Sequence, residues 1–401
     1  MPRSAPTRER AFVFIEEIGA LRELCKHLAE SERLGVDTEF VGERTYLPQL
    51  ELIQVATEQV CAVLDCRSLE RLDPFLPLLF DKRIEKVFHA GQQDLELFFL
   101  LTQQVPAPLF DTQVAAAMVG YGAQPGYAPL VERLLGVTVE KTETLTDWTR
   151  RPLSAAQLAY AADDVRYLPQ LHDQLRQRLH ELQRTAWVSE EFRRLEQSAA
   201  AGRLSPREAH LRVRGRGALR GKALAILREL AAWREEEARQ RNKPRGSLMK
   251  DDLLVELARR APTTPAALRQ LRGLYSRELE RSGTAIVAAV ERALALPKHE
   301  WPESPQRHGH ESAPTGLVEL LQAVLRSCAE HAHIAPTLLA TTGDLEQLAI
   351  RHGTPPALEL PVLQGWRREI AGEQLLRLLN GQATVCVESE TRRLRLEPVR
   401  R

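Results

Sequence analysis

LGVDTEF, residues 34–40, is the stretch from which both the fold and the chemistry of this chain can be inferred. Its Leu, Val and Phe residues are typical of a buried strand, in which residues two apart project from one face. Asp37 and Glu39 would therefore lie side by side, and their repulsion destabilises the fold unless a cation lies between them. A solvent-facing edge strand would also tolerate both acids. The stretch predicts a sheet whose paired acids either bind a cation or face water.

Strand and helix patterns alternate around this stretch over the first two hundred residues. Further predicted strands are AFVFI (11–15), LELIQVA (50–56), VCAVLDC (60–66) and KVFHA (86–90). Helical spacing of apolar residues covers 17–31, 68–80, 92–103, 111–119, 127–135 and 154–184. Because the strands crowd together early and the helices follow, the pattern predicts an α/β domain with a mixed sheet.

The second half of the chain is predicted to be helical. Apolar residues recur at helical spacing in 223–240, 251–260, 265–273 and 283–296. A Pro-, His- and Ser-rich stretch, 297–316, is typical of a linker. A further helical block, 317–380, repeats the Pro-to-Asp-Leu spacing of the first, so it is either a duplicated module or an unrelated helical piece. The tail 383–390 alternates weakly, which indicates a short strand.

Composition limits the class of protein. The 401 residues are 43% hydrophobic and 27% charged, which indicates a globular chain of two to three domains. No apolar run approaches the roughly 18 residues of a membrane span, and no secretory signal is recognisable. The five cysteines form no CxxC pair, which disfavours a disulfide or zinc framework and favours the cytoplasm.

The charge is unevenly distributed along the chain. Residues 1–202 contain 22 Lys and Arg against 30 Asp and Glu, whereas residues 203–250 contain 14 against 5. An acidic domain joined to a basic segment suits metal-dependent work on a polyanion. A solvated basic helix is the alternative interpretation of the same segment.

Two more motifs offer acids to the same domain. FHAGQQDLELF (88–98) places Asp94 in the first turn of a helix, where it could also simply complement the helix dipole. LAYAADDVRYL (158–168) places Tyr160 and Asp164 on one helical face, although spacing alone leaves Asp163 equally available. Four converging carboxylates would need divalent cations, and oxygen ligands select Mg²⁺ or Mn²⁺ over zinc.

These motifs together resemble a known family. DTEF, HAGQQDLELF and YAADDV are similar to the three motifs of the DEDD superfamily of 3′→5′ exonucleases that carries a tyrosine in motif three. DWTRRPLSAAQLAYAADDV (147–165) resembles the ribonuclease D family, and WREEEARQRNKPRG (233–246) resembles its helicase-and-ribonuclease-D C-terminal (HRDC) domain. The resemblance implies a ribonuclease H-like mixed sheet with flanking helices, followed by two all-α helical-bundle domains. The implied bounds are 1–205 (catalytic), 210–296 (first HRDC), 297–315 (linker) and 316–401 (second, divergent HRDC).

The resemblance also implies roles for five residues around two divalent cations, Mg²⁺ or Mn²⁺. Asp37 would contact both cations, Glu39 and Asp164 would complete the site of the attacking water, and Asp94 would support the second cation. Tyr160 would orient the water. The motif-three pattern Y-x-x-x-D selects Asp164 over its neighbour.

The implied activity is a metal-dependent 3′→5′ exoribonuclease that releases 5′-mononucleotides by two-metal-ion hydrolysis. Its implied substrates are tRNA precursors, other small structured RNAs and single-stranded 3′ ends, and it is expected to be a cytoplasmic monomer without a membrane partner. A related exonuclease acting on DNA or in general RNA decay is one alternative, and a catalytically silent RNA-binding platform is another.

Basic residues of the second domain are candidate contacts to RNA phosphates, which would make RNA affinity salt-dependent. The alternative is a basic surface that packs against the acidic catalytic domain. The candidates are Arg212, Arg214, Arg216, Arg220, Lys222, Lys243, Arg245 and Lys250.

Overall fold

The first half of the chain is built on a single mixed sheet. A computed structural model describes residues 12–399 except 70, 140–145, 202–204, 272, 274–275, 303–312 and 355–358. Its larger sheet has the strand order β1-β4-β3-β2-β5-β6. The strands are β1 (Val13–Ile15), β2 (Arg33–Val41), β3 (Gln49–Ala56), β4 (Cys61–Asp65), β5 (Glu85–Phe88) and β6 (Leu109–Asp111).

Strand direction follows from the connections. β2, β3 and β4 form an antiparallel meander, because short turns join them, whereas β1, β5 and β6 pair in parallel with their neighbours. The predicted mixed sheet is therefore confirmed. β6 was not predicted from the sequence, because three residues are too few to show an alternating pattern.

Nine helices of the described residues surround this sheet. They are α1 (Ile18–Leu28), α2 (Cys66–Leu69), α3 (Leu76–Phe80), α4 (Gln92–Thr102), α5 (Thr112–Met118), α6 (Tyr127–Leu135), α7 (Ala155–Arg166), α8 (Leu168–Glu181) and α9 (Thr185–Ala201). The single helix predicted over 154–184 is two helices that meet at Tyr167. Pro169 stands in the first turn of α8, where its missing N–H is no loss, and so begins a new helix there.

The middle of the chain forms a helical unit with its own hydrophobic core. Its helices are α10 (Gly221–Gln240), α11 (Arg245–Leu248), α12 (Asp251–Arg260), α13 (Pro265–Arg269) and α14 (Ser276–Ala295). Buried side chains of α10, α12 and α14, among them Leu227, Leu257 and Ile286, pack into this core. The apolar periodicity of the sequence therefore corresponds to one helical bundle.

The last part of the chain contains α15 (Thr315–His331), α16 (Thr342–Arg351), α17 (Gly365–Arg367), α18 (Glu373–Leu379), β7 (Ala383–Val387) and β8 (Leu394–Pro398). The strand considered at 383–390 is β7, and its partner β8 completes a hairpin. This part shares a continuous core with the catalytic half: Trp366 stacks on Trp187 of α9 with ring centroids 5.3 Å apart. The proposed domain bounds stay predictions, and most of the linker, 303–312, lies outside the described residues.

Within the described ranges, the helices are all too short or too polar to cross a membrane.

Candidate active site

The centre of the site is β2, the strand on which the sequence analysis began. It pairs with β3 on one side and β5 on the other. Gly35 allows a close approach, because a Cβ there would lie 3.0 Å from the Leu168 Cβ of α8. Asp37 and Glu39 follow on the same face, and the register of β2 shifts directly after Glu39. Such a bulge bends the strand and re-aims the side chains beside it.

Helix α7 covers this face of β2 and its neighbours β3 and β4. It begins at a capping box, in which Ser154 and Gln157 satisfy each other's backbone N–H groups. Tyr160 and Asp164 are four positions apart, so both lie on the side of the helix that faces the acids of β2. Asp163 instead accepts a 2.7 Å hydrogen bond from the Arg166 guanidinium.

The carboxylates of β2 and α7 converge. One oxygen from each of Asp37, Glu39 and Asp164 lies within 4.8 Å of the other two, and we call these three residues the acid cluster. Within the described part of the chain, neither acid of β2 forms an ion pair. The arrangement therefore concentrates negative charge that no basic side chain of the described residues neutralises at β2.

Asp94 approaches the cluster from the first turn of α4. Its buried carboxylate accepts a short hydrogen bond from the Thr38 hydroxyl. It does not belong to the group within 4.8 Å, but its charge raises the pKa of both acids of β2. Gly91 permits the tight turn into this helix, because a Cβ there would lie 2.5 Å from the Phe88 Cβ.

Burial and mutual repulsion both act on the protonation of these acids. Burial, followed by the charges of Asp94 and Asp164, raises the pKa of Asp37. Burial raises the pKa of Glu39 to about 8, with further contributions from Asp164 and Asp94. Burial also raises the pKa of Asp94 to about 6 against the opposing Thr38 hydrogen bond. Such shifts mark groups held together at a cost in stability, which is common at functional sites.

Tyr160 sits at the edge of the acid cluster. Burial raises the pKa of its phenol, and the charges of Asp164 and Glu39 raise it further. Its ring lies 6.2 Å from that of Trp148, centroid to centroid, so the segment before α7 packs against it. The phenol is therefore a hydrogen-bonding group at neutral pH and not a proton acceptor.

The donor set is chemically uniform. Asp37, Glu39 and Asp164 offer only carboxylate oxygens, which suit a hard divalent cation and not a soft one. Because the repulsion that raises the pKa values would be relieved by positive charge, the cluster fits a divalent-metal site.

Two anchoring residues were missed in the sequence analysis. Buried Asp111 accepts hydrogen bonds from the backbone N–H groups of Ala90 and Gly91, and so fixes the turn that leads to Asp94. It also caps α5 through two further N–H groups, for which an Asp before an Ala-rich run is a readable signal. The guanidinium of Arg151 donates to both oxygens of Asp65, at 2.7 Å each, and holds the segment that carries Trp148. These residues are 86 apart in sequence, so no local pattern links them.

The candidate RNA contacts lie around both ends of α10. Arg216 is partly buried, and the candidates exposed to solvent include Arg212, Arg214, Arg220, Lys222, Lys243 and Lys250. Arg245 differs from them, because it pairs with Glu235 and stacks over the ring of Tyr46, 5.1 Å from its centroid. Tyr46 follows β2 and donates a 2.6 Å hydrogen bond to Glu235, so this arginine joins the helical unit to the catalytic half.

A cleft of about 570 Å³ lies beside this contact. The loop after β2 and the outer face of α4 form one wall, and α10 and α11 form the other. Its charged lining includes Arg212, Arg239 and Glu96.

Comparison with known protein families matches two segments of the chain. Residues 12–180 match a 3′-5′ exonuclease family model, and residues 223–290 match the HRDC domain. The first match contains β2, α4 and α7, and the second contains most of the separate helical core.

Comparison with individual proteins extends the match to nearly the whole chain. The chain is 41% identical to ribonuclease D of Acidiphilium cryptum over 93% of this chain and 94% of that protein. It is 39% identical to ribonuclease D of Granulibacter bethesdensis over 99% of both. The crystal structure of Escherichia coli RNase D, described as an exoribonuclease involved in structured RNA processing, matches with a TM-score of 0.82 and 31% identity. That match covers 92% of this chain and 99% of that one.

Proposed function

The chain belongs to the ribonuclease D family and is a 3′→5′ exoribonuclease, and we propose that it hydrolyses RNA with two divalent cations, Mg²⁺ or Mn²⁺. Asp37, Glu39, Asp94 and Asp164 would hold the cations. The observation that supports this most strongly is the acid cluster, whose three carboxylates approach within 4.8 Å. When bound, the cations would supply Lewis-acid activation of water and neutralise charge on the leaving oxygen.

The side chains have separate roles in this proposal. Asp37 would hold a cation together with its neighbours, because it belongs to the acid cluster and the charge of Asp94 also acts on it. Glu39 and Asp164 would complete the site beside the attacking water, and Asp94 would support the second cation. The Thr38 hydroxyl orients Asp94 for that role.

Tyr160 would orient the attacking water. A phenol with a raised pKa keeps its proton at neutral pH, and its O–H donates to Asp164. The phenol oxygen therefore still has a lone pair that can accept a hydrogen bond from water. The expected products are a 5′-mononucleotide and an RNA shortened by one residue at its 3′ end.

The expected substrates are tRNA precursors and other small structured RNAs that end in a single strand. Support comes from the described activity of the Escherichia coli relative, which is similar over most of both chains. Exposed basic residues around α10 would grip the RNA backbone, with Arg245 contributing less because Glu235 already pairs with it. We expect a cytoplasmic monomer, and size-exclusion chromatography with light scattering checks the oligomeric state.

The test uses a short RNA labelled at its 5′ end and a tRNA precursor with a 3′ extension. Wild-type protein in Mg²⁺ should shorten both from the 3′ end and release 5′-mononucleotides, whereas EDTA and Asp37→Asn should each stop the reaction. A matching DNA strand measures the sugar preference. RNA that stays intact but binds in a salt-dependent way would overturn the proposed catalysis and favour an RNA-binding platform.

A further inference from the structure

A buried amide next to the acid cluster has no role in the proposed function. Gln54, on β3, is completely inaccessible to solvent. Among the residues that the structure describes, neither its Oε1 nor its Nε2 has a hydrogen-bond partner. A buried polar group without partners is costly, and an apolar side chain of similar length would be more stable there. Its presence therefore calls for a physical explanation.

The register of the sheet places this amide beside Asp37. Gln54 and Asp37 are direct partners in the antiparallel ladder of β2 and β3, so their side chains project from the same face. In such pairs the Cβ atoms lie about 4.5–5.5 Å apart. On its other side, the direct partner of Gln54 is the apolar Val63 of β4. Asp37 is thus its polar neighbour within the sheet.

The buried side chains of the helix above the amide are apolar. α7 packs on β3, and the residues it buries are Ala161, Ala162 and Val165. Along β3 itself, the same face carries Leu52 and Ala56, both fully buried. Of the two direct cross-strand partners of Gln54, Asp37 is the one whose side chain can complement the amide, because Nε2–H donates and a carboxylate accepts.

We infer that Gln54 is a positioning residue for Asp37 in the cation-loaded site. Its Nε2–H would donate to the Asp37 carboxylate across the β2–β3 ladder and would fix the orientation of that carboxylate toward the cation. Such outer partners of metal-ligating groups commonly change metal affinity by about 10- to 100-fold. The inference rests on the proposed cation site, and its test separates failure of the two.

The experiment compares wild type, Gln54→Met and Ile53→Met. Methionine keeps an unbranched chain of nearly the same length at Gln54 but removes the donor. Ile53 is a matched control, because it is equally buried on the same strand and projects from the opposite face. Mn²⁺ affinity is measured by calorimetric titration, and the unfolding temperature is measured in EDTA and in Mn²⁺.

Gln54→Met should bind Mn²⁺ about 10- to 100-fold more weakly than wild type, while its unfolding temperature in EDTA is unchanged or higher. Ile53→Met should keep wild-type affinity. Gln54→Asn, which withdraws the amide by one methylene, should fall between wild type and Gln54→Met, and it preserves the test if the methionine variant does not fold.

Wild-type affinity in Gln54→Met would overturn the inference, and so would a lower unfolding temperature in EDTA with unchanged affinity, since that pattern assigns the amide a structural role. Failure of wild type itself to bind Mn²⁺ would instead overturn the proposed cation site.

Discussion

Glu39 and Asp65 lie in one row across the same face of the sheet, yet their surroundings are opposite. Leu52 of β3 is the direct partner of both, so they are two strands apart. Burial and neighbouring acids raise the pKa of Glu39 to about 8. Asp65 is completely buried, but the Arg151 guanidinium and the Ser68 hydroxyl outweigh its burial and lower its pKa.

The difference shows how a structural acid can be told from one that needs an external cation. Asp65 receives its positive charge from Arg151 within the chain, together with hydrogen bonds that satisfy its oxygens. Glu39 shares its space with the carboxylates of Asp37 and Asp164. Asp65 is less accessible to solvent than Glu39 and yet has the lowered pKa, so the nature of the nearest charge, and not burial, distinguishes the two acids.

The largest expected effect is on catalysis by Glu39→Gln. This change should lower kcat on a short RNA by roughly a thousandfold or more, since groups that act as a unit fail together. It should not lower the unfolding temperature in EDTA, because it removes repulsion and no favourable contact. Initial rates at saturating Mg²⁺ measure the loss of activity, and thermal unfolding in EDTA measures the stability. A destabilised variant with nearly full activity would contradict the distinction between the two acids.

The opposite pattern is expected for Arg151→Ala, which leaves Asp65 buried without its cation. The free energy of unfolding should fall by about 3–5 kcal/mol, measured by urea denaturation. Adding Asp65→Asn in the same chain should recover part of that loss, because the buried negative charge is then gone. If the double variant is no more stable than Arg151→Ala, the guanidinium acts through packing and not through charge.

The pH dependence of stability should also separate the two acids. In EDTA, Glu39 binds its proton more tightly in the folded protein than in the unfolded chain. The stabilising free energy that Glu39 contributes is therefore complete below its usual pKa of 4.5 and is lost as the pH rises through about 8. Asp65 has a lowered pKa, so the stabilising free energy that it contributes is present above its usual pKa of 3.8 and is lost as the pH falls through its folded-state pKa.

Thermal unfolding measured from acidic pH up to about pH 9 follows both transitions. The unfolding temperature of the wild type in EDTA should decline as the pH rises toward about 8, and Glu39→Gln should reduce that decline. Saturating Mn²⁺ should reverse the decline, because it favours the ionised acids. An unchanged decline in Glu39→Gln would show that other groups cause it.

The smallest expected effect concerns Glu235, an acid satisfied across the contact between the helical unit and the catalytic half. Tyr46→Phe removes the hydroxyl that donates to it and should cost about 0.5–1.5 kcal/mol of unfolding free energy. Tyr121→Phe is the matched control, because the Tyr121 ring stacks with Arg133 through its face. Equal losses of unfolding free energy in both variants would show that the hydrogen bond is not the cause.

The sequence alone predicts the local parts of this account but not the long-range ones. The strand at 34–40 and the shared face of its two acids follow from a period of two residues. Helical spacing left Asp163 and Asp164 equally available, and the family pattern chose the second. The structure pairs Asp163 with Arg166 of the same helix, and the packing of α7 on β2 brings Asp164 to Asp37 and Glu39.

Two features were beyond sequence reasoning because distant segments create them. Asp65 meets Arg151 across 86 residues, and Gln54 faces Asp37 only in the register that the bulge and turn of the meander impose. Neither pairing leaves a local pattern. Helical spacing and the family resemblance predict a separate last domain, and its bounds stay a prediction; the stacking of Trp366 on Trp187, which links that part to the catalytic half, is likewise a long-range contact.

The central claim is that the acid cluster binds divalent cations, and adjacent residues of α7 provide its most direct test. Calorimetric titration with Mn²⁺ compares wild type, Asp164→Asn and Asp163→Asn, which differ by one position along the same helix. We expect binding to wild type and Asp163→Asn with similar affinity, and binding to Asp164→Asn to be lost or weakened at least tenfold. Equal affinity in all three proteins, or weakening in Asp163→Asn alone, would contradict the account.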